Sequence, residues 1–433
     1  MATPMSSARK WLIVIIVCNA IICVTCISSI YTTTYTQLSV DFGVTTLLCT
    51  VGLSVYVLGI GTGPLLTSPL SERYGRRPIY LISWALFIIW TIPSAVATNI
   101  QTMIVARFFN GFFGGTFLSV AGGTVSDIFV REEIQAPMAL VALAPFVGPS
   151  LGPVLGGFVN SYLHWRWTYY IGLIWAGITF VAISCFVPET MRRREKRPFA
   201  ESRKLLLRPF QLLLLEPMCL CLDLYSAILL GILYLFFSTF PLIFQQTYGM
   251  NVWQAGLTFL GIIVGMCVAA ASTPAWSRLR RYMLAPEAGN RRPESKPEHC
   301  LPPAILGGVL IPAGLFWFAW GIWPSVHWVV PIIGLGLFGS GILLAFMGIF
   351  TFLVDAYPRY SASVLAANGF VRCSFAAAFP MFGSQMYEKL GFHWATSLLA
   401  FLTLAMMPFP LIFFQYGETL RRKSKFAVIP VGT

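Results

Sequence analysis

The chain has 433 residues, 57% of them hydrophobic and only 10% charged. A soluble domain carries about a quarter charged residues, so a single water-soluble globule is excluded. The net charge is +13, which on a soluble chain would suit nucleic acid or an anionic surface. Here nearly all basic residues fall between apolar runs, which removes nucleic acid as a partner.

Those apolar runs are near 20 residues long, enough to cross a hydrocarbon core of about 30 Å as a helix. Unpaired backbone is not tolerated in lipid, so each run is expected to be helical. In chain order, a short basic stretch from Met1 to Lys10 precedes a first span at Trp11–Ile30. A cleaved signal peptide is the rival reading there, but the run is long and no clear A-x-A site follows. Spans 2 to 6 are expected at about Thr45–Leu66, Ile79–Ala97, Thr102–Val125, Ala136–Val159 and Trp167–Val187. A basic linker over 188–216 follows. Spans 7 to 12 are expected at about Pro217–Phe240, Trp253–Ala275, Pro302–Trp323, His327–Val354, Ser363–Met386 and Ala395–Tyr416. A second basic linker, Trp276 to His299, separates spans 8 and 9, and a basic tail carries Arg421, Arg422, Lys423 and Lys425.

The expected fold is therefore an all-α integral membrane protein of twelve transmembrane helices in two six-helix bundles. Residues 1–187 form the first bundle, 188–216 a cytoplasmic linker, and 217–433 the second bundle with a short cytoplasmic tail. With the N-terminus inside, the cytoplasmic segments hold 25 Lys and Arg and the outer loops two, Arg166 and Lys389. One missed span would invert everything after it, so the positive-inside rule supports the count and puts both termini in the cytoplasm. Six plus six spans suggests an internal repeat.

Three stretches of the first half carry the chemistry. Ser68 to Pro78 reads SPLSERYGRRP, a tight basic turn between two spans. Gly75 can take the positive φ such a turn needs. Glu72, Arg73, Arg76 and Arg77 can bond to one another and to a neighbouring helix end, where Asp127 is the natural partner. A plain topology signal is the alternative reading. In span 4, Arg107 and Asn110 sit inside the membrane. An arginine there needs a partner or a wet cavity, unless it snorkels to the interface. In span 5, Gly148, Gly152 and Gly156 recur every four residues and form a bare stripe for close helix packing. Pro149 and Pro153 each remove a helix hydrogen bond and allow bending.

These stretches resemble the major facilitator superfamily, and more closely its fungal twelve-span drug:proton antiporter branch. The resemblance covers about Trp11 to Lys425. SPLSERYGRR is similar to the loop 2–3 signature G-x-L-a-D-r-x-G-r-[RK], with Ser68 at the Gly and Glu72 at the Asp. Arg107-x2-Asn110-Gly111 resembles the span 4 motif R-x2-q-G. Gly148 to Gly157 resembles G-x3-G-P-x2-G-G, which in the family marks exchangers that export. The resemblance implies that Glu72, Arg73, Gly75, Arg76, Arg77 and Asp127 form a gating latch. It implies that Gly148, Pro149, Gly152, Pro153, Gly156 and Gly157 form a moving interface between bundles, and that Arg107 is a cavity charge. Where the branch has P-E-x-R-L, this chain has Pro297-Glu298-His299-Cys300-Leu301, so a weaker latch is expected in the second half.

In the second half, Arg372 lies near the middle of span 11, beyond snorkelling reach, beside Asn368. Asp223 in span 7 is the best proton-carrier candidate by chemistry, with a cap or interfacial contact as the alternative. Tyr225 and Tyr234 are candidate lining of an apolar cavity. Trp84, Trp90, Trp165, Trp167, Trp323 and Trp328 read first as interface anchors. Ten cysteines are scattered, and Cys23 and Cys26 form a CxxC without a second pair. No metal and no cofactor is expected from them. Four histidines, unclustered, argue against a membrane enzyme.

The function expected from these features is proton-coupled export of small organic molecules, drugs or a secreted metabolite, across the plasma membrane. The partners are the substrate, protons and membrane lipid, and the chain acts as a monomer. A facilitative importer of a nutrient is the first alternative. A non-transporting receptor or sensor is the second, and it would need a larger signalling tail than the roughly 18 residues after span 12.

Overall fold

The computed structural model describes residues 5–129, 133–191, 210–284, 296–358 and 360–424. Most of the basic linker at 188–216, residues 285–295 of the second linker, and the tail from Lys425 onward lie outside the described residues.

Helices account for the spans, and no strand occurs among the described residues. In order they are α1 (Ser7–Ile30), α2 (Tyr35–Phe42), α3 (Thr46–Tyr74), α4 (Arg76–Ala95) and α5 (Ile100–Ile128). Next come α6 (Gln135–Tyr162), α7 (Arg166–Phe186), α8 (Pro217–Tyr248), α9 (Val252–Leu257), α10 (Leu260–Ala271) and α11 (Thr273–Leu284). The last four are α12 (Pro302–Gly321), α13 (Val329–Ala356), α14 (Ser361–Met406) and α15 (Pro408–Lys423). A single 3-10 turn, Tyr31–Thr34, joins α1 to α2, so the first span runs well past its expected end at Ile30.

Eleven stretches of described helix are long and apolar enough to cross a membrane. The last, Ser363–Arg422, has 60 residues and joins the two spans expected there. Helical continuity breaks at Gly391, where φ is 74° and ψ 164°. Across that break the Tyr387 hydroxyl lies 2.9 Å from Thr396 Oγ1. In a straight helix residues nine apart are separated by about 13 Å, so the chain doubles back at Gly391 and the 60 residues make two crossings.

The outward faces are greasier than the inward ones, the inverse of a soluble helix. On α7, Ile174, Ile178 and Val181 are 60–67% exposed. The same helix buries Thr168, Gly172, Ala176 and Thr179. Small and hydroxylated residues turned inward allow close helix contact, and branched aliphatics turned outward suit lipid. Two of the expected interface tryptophans do not follow that pattern. Trp84 and Trp165 are fully buried. Their indole N–H groups donate to Ala176 O at 2.8 Å and to Asp41 Oδ2 at 2.7 Å. Trp167, Trp323 and Trp328 are 45–47% exposed.

Two compact units are formed. The first comprises residues 1–206, 233–260 and 373–385; the second comprises 207–232, 261–372 and 386–433. Within the first, α3 packs on α5, α1 on α6, α4 on α5 and α7, and α9 on α6. Within the second, the largest pairing is α12 on α13.

The contact of α6 with α1 explains the glycine stripe. A Cβ at Gly148 would collide with Thr25 Oγ1, one at Gly152 with Ser29 Oγ, and one at Gly156 with Thr33 Oγ1. Three hydroxyl residues at a spacing of four, Thr25 and Ser29 on α1 and Thr33 in the 3-10 turn that follows it, thus lie in a groove made by three glycines at the same spacing on α6. Each hydroxyl is turned back to its own helix, Thr25 onto Ile21 O at 2.7 Å and Thr33 onto Ile30 O at 2.7 Å. The stripe therefore packs against the first span, not against a helix of the second half. Contact with α9 is made by the adjacent Gly157 and Pro153: a Cβ at Gly157 would stand 3.0 Å from Trp253 Cα, and one at Gly256 would meet Pro153 O. Gly152→Val will separate α1 from α6 and cost several kcal/mol, as overpacking into backbone does. Loss of the monodisperse peak in detergent chromatography is the expected readout, with Gly177→Val, where nothing lies within 4 Å, as the neutral comparison.

Candidate functional site

Arg107 is the organising residue of the first unit. It is 1% exposed, which rules out snorkelling to the interface. Its Nε donates to Gly52 O at 2.8 Å and its Nη2 to Ser28 O at 3.1 Å. A longer bond joins Nη1 to the Tyr169 hydroxyl at 3.4 Å. The guanidinium lies 3.9 Å from the Tyr31 ring centroid and 4.7 Å from that of Tyr56. The cation is thus held by carbonyl dipoles and aromatic faces. Among the described residues it has no carboxylate partner. One helix supplies the charge, α1 and α3 supply the carbonyls, and three tyrosines close the surroundings. Tyr31, Tyr56 and Tyr169 went unnoticed in the sequence, because aromatic residues are common in every span.

Asn110, one turn along α5, faces elsewhere. Its Nδ2 donates to Phe87 O at 2.9 Å and to Thr91 Oγ1. It ties α5 to α4 and does not join the Arg107 cluster.

In the second unit the structure brings Asp223 and Asn368 together. Asp223 is fully buried. Asn368 Nδ2 donates to Asp223 Oδ1 at 2.8 Å and to Ser226 Oγ at 2.7 Å. The Cys219 thiol donates to Asp223 Oδ2 at 3.4 Å. Arg372 lies 4.8 Å and 5.3 Å from the ring centroids of Phe350 and Phe346. Ser226 and Cys219 are three and four residues from Asp223, so helical spacing on α8 would have found them.

Tyr225 and Tyr234 do not share a face. They are nine residues apart, about two and a half turns, and so point to opposite sides of α8. Tyr234 OH lies 3.1 Å from Ser28 Oγ in the first unit. Tyr225 is buried towards Gly308 in the second.

The basic turn after α3 folds around Arg76. Its Nε is 3.3 Å from Asp127 Oδ2 and its Nη1 donates to Ser71 Oγ at 2.7 Å. Gly75 has φ of 107°, as the turn required. Glu72 and Arg73 are exposed. Glu189, which the sequence reading missed, also holds the turn. Its Oε1 accepts the Arg76 N–H at 2.9 Å and its Oε2 the Arg77 N–H at 3.1 Å. A carboxylate on the first two amides of α4 satisfies orphan donors and complements the helix dipole. A Cβ at Gly75 would collide with that carboxylate. Arg77 Nη2 donates to Ser184 O at 3.0 Å. Glu189→Ala will leave both amides open and cost about 1–2 kcal/mol; a Tm lowered by a few degrees, with Glu189→Asp in between, is the expected thermal unfolding result.

The second half is also locked, with partners supplied from outside the expected motif. Arg280 Nη2 pairs with Asp355 Oδ2 at 2.7 Å. Cys300, standing where the branch has arginine, donates its thiol to the same oxygen at 3.3 Å. Burial raises the Cys300 thiol well above its ordinary value, so it stays protonated as that donor. The charge missing at Cys300 is thus supplied from α11 by Arg280. Glu298 accepts Arg421 Nε at 2.8 Å and Nη2 at 2.9 Å. Their side chains are 7% and 3% exposed. Arg421, read as tail from the sequence, is one arm of a buried bidentate pair, and the expected weakening of this end does not occur through loss of ion pairs.

Apolar crossings with charges at helix junctions and in span interiors define a multi-pass, all-helical membrane protein. The chain belongs to the Major Facilitator Superfamily, whose family model matches residues 17–380. It is 48% identical to the efflux pump atB of Aspergillus terreus over 450 aligned positions, covering 98% of this chain and 87% of the relative. It is 39% identical over 455 positions to the probable drug/proton antiporter YHK8 of Saccharomyces cerevisiae, with coverage of 98% and 87%. In fold it matches the crystal structure of the human organic anion transporter MFSD10 with a TM-score of 0.65 at 18% identity, covering 93% of this chain and 99% of that one. Family and fold point to a transporter.

Proposed function

We propose that this chain is a secondary transporter of the plasma membrane that exports small organic molecules in exchange for protons, by alternating access. Near full-length similarity to proteins named as an efflux pump and a drug/proton antiporter supports export. The observation that carries proton coupling is Asp223: a carboxyl group with no exposed surface, inside a span, held by the neutral donors Asn368 and Cys219. Ionisable groups at such depth are costly and mark ion or substrate pathways.

In this reading Asp223 takes and releases the proton, and Arg372 is the fixed positive charge of the second unit. Arg107 is the fixed positive charge of the first unit. Arg76, Arg77, Asp127 and Glu189, with Gly75 as hinge and Glu72 and Arg73 at the rim, form the cytoplasmic latch. The α6 stripe from Gly148 to Gly157 is the surface along which helices slide, within two bundles of residues 1–187 and 217–433, both termini being cytoplasmic. Few acids lie in the spans, so hydrophobic or weakly polar compounds suit better than polycations such as polyamines.

The test is efflux from cells or vesicles across fluorescent drugs, organic acids and polyamines, with and without a protonophore. Efflux that collapses with the protonophore, and that Asp223→Asn abolishes at normal surface expression, is the expected result. Gradient-independent two-way flux would make the protein a facilitator.

A further inference from the structure

Helix α11 carries a surface that the transport reading leaves unused. Its twelve residues, TPAWSRLRRYML, include three arginines and no acid. It forms the polar end of the stretch Val252–Met283, which contains a window apolar enough to span, so α11 sits where that stretch leaves the hydrocarbon. Arg280 points inward and is paired with Asp355. That pair fixes the rotation of the helix. At about 100° per residue, Arg278 and Tyr282 fall within about 40° of each other on the side opposite Arg280, flanked by Arg281 and Leu279. All four are exposed, Tyr282 at 77% and Leu279 at 40%. Among the described residues neither Arg278 nor Arg281 has a carboxylate partner.

We propose that the Arg278–Arg281–Tyr282 face of α11 binds the headgroups of anionic phospholipids in the cytoplasmic leaflet. Two guanidinium groups three residues apart can each engage a phosphate oxygen pair. The aromatic ring of Tyr282 and the side chain of Leu279 enter the boundary between headgroup and acyl chain. A face of mixed arginine, tyrosine and leucine at the mouth of a span matches that layer, whereas a soluble partner would have to displace lipid to reach it. The leaflet assignment rests on the cytoplasmic topology proposed above.

The full-length protein is reconstituted in nanodiscs of phosphatidylcholine, with and without phosphatidylserine, and its thermal unfolding is followed. Each arginine near an anionic surface contributes a factor of about five in partitioning, so Arg278→Gln with Arg281→Gln lowers lipid affinity about 30-fold. The wild type gains stability with phosphatidylserine and the double variant does not, while both unfold alike in phosphatidylcholine alone. Arg278→Lys with Arg281→Lys restores most of the gain, and Arg280 stays untouched throughout. A full phosphatidylserine gain in the Gln variant overturns the proposal. So does an equal gain from dissolved glycerophosphoserine in phosphatidylcholine discs, which would assign the site to a free anion. Nanodiscs expose both leaflets alike, so this result does not depend on topology. Cysteine labelling of α11 in intact cells tests topology separately, and labelling from outside would sink the leaflet assignment.

Discussion

Arg107→Ala will abolish efflux and destabilise the first unit, and Arg107→Lys will not restore either property. The guanidinium serves carbonyls on α1 and α3 at once, Ser28 O at 3.1 Å and Gly52 O at 2.8 Å, while lying against two tyrosine rings. Removing it leaves buried acceptors without donors, at about 1–3 kcal/mol each, and a cavity between Tyr31 and Tyr56. Lysine keeps the charge but lacks the planar fork and the stacking surface, so it cannot serve both helices. Gly52→Ala separates the geometric part from the charge: its Cβ would run into the Tyr31 ring and hydroxyl and push that ring off the guanidinium. A purified Arg107→Ala protein with wild-type stability and transport would remove Arg107 from the account. Normal surface expression with lost efflux would place its role in transport itself.

Arg421→Ala will cost about 3–5 kcal/mol, because it strands the Glu298 carboxylate in a buried setting. The pair is bidentate, and both side chains are nearly sealed from solvent. The partner variant Glu298→Gln should cost a similar amount through the unpaired guanidinium. Replacing both together, Glu298→Gln with Arg421→Met, removes both charges and should recover most of the loss, since a buried pair is close to neutral against an uncharged substitute. Unfolding midpoints of the wild type, Glu298→Gln, Arg421→Met and the combined variant form a double-mutant cycle. Additive losses would mean that the two residues act independently.

Much of the fold was legible because lipid imposes one rule on every span: uncharged runs of sufficient length must be helices. The boundaries that moved were those set by local backbone, such as the extension through Tyr31–Thr34 and the reversal at Gly391. Functional residues were legible where cost marked them. Arg107, Asp223 and Arg372 stand out because a charge inside a span is expensive. Asn110 and Tyr225 were grouped with them by chemistry alone, but rotation about the helix axis sends them to other neighbours, while Tyr234 reaches Ser28, whose carbonyl accepts from Arg107. Glu189, Glu298 and Arg421 were hidden for the opposite reason: charges are ordinary at span ends, and sequence does not show which of them find partners. Trp84 and Trp165 illustrate the same limit, since a tryptophan seeks either the interface or a buried acceptor, and here the acceptors are Ala176 O and Asp41.

The most direct test of proton-coupled export is proton movement itself. In sealed proteoliposomes carrying a pH-sensitive dye, adding a transported compound to one side should drive protons in the opposite direction. Asp223→Asn, of equal size and unable to carry the proton, should abolish that signal while substrate binding persists. Substrate-driven proton flux in the wild type that vanishes in Asp223→Asn is the predicted result. Undiminished flux in Asp223→Asn, or transport by the wild type with no proton movement, would contradict it.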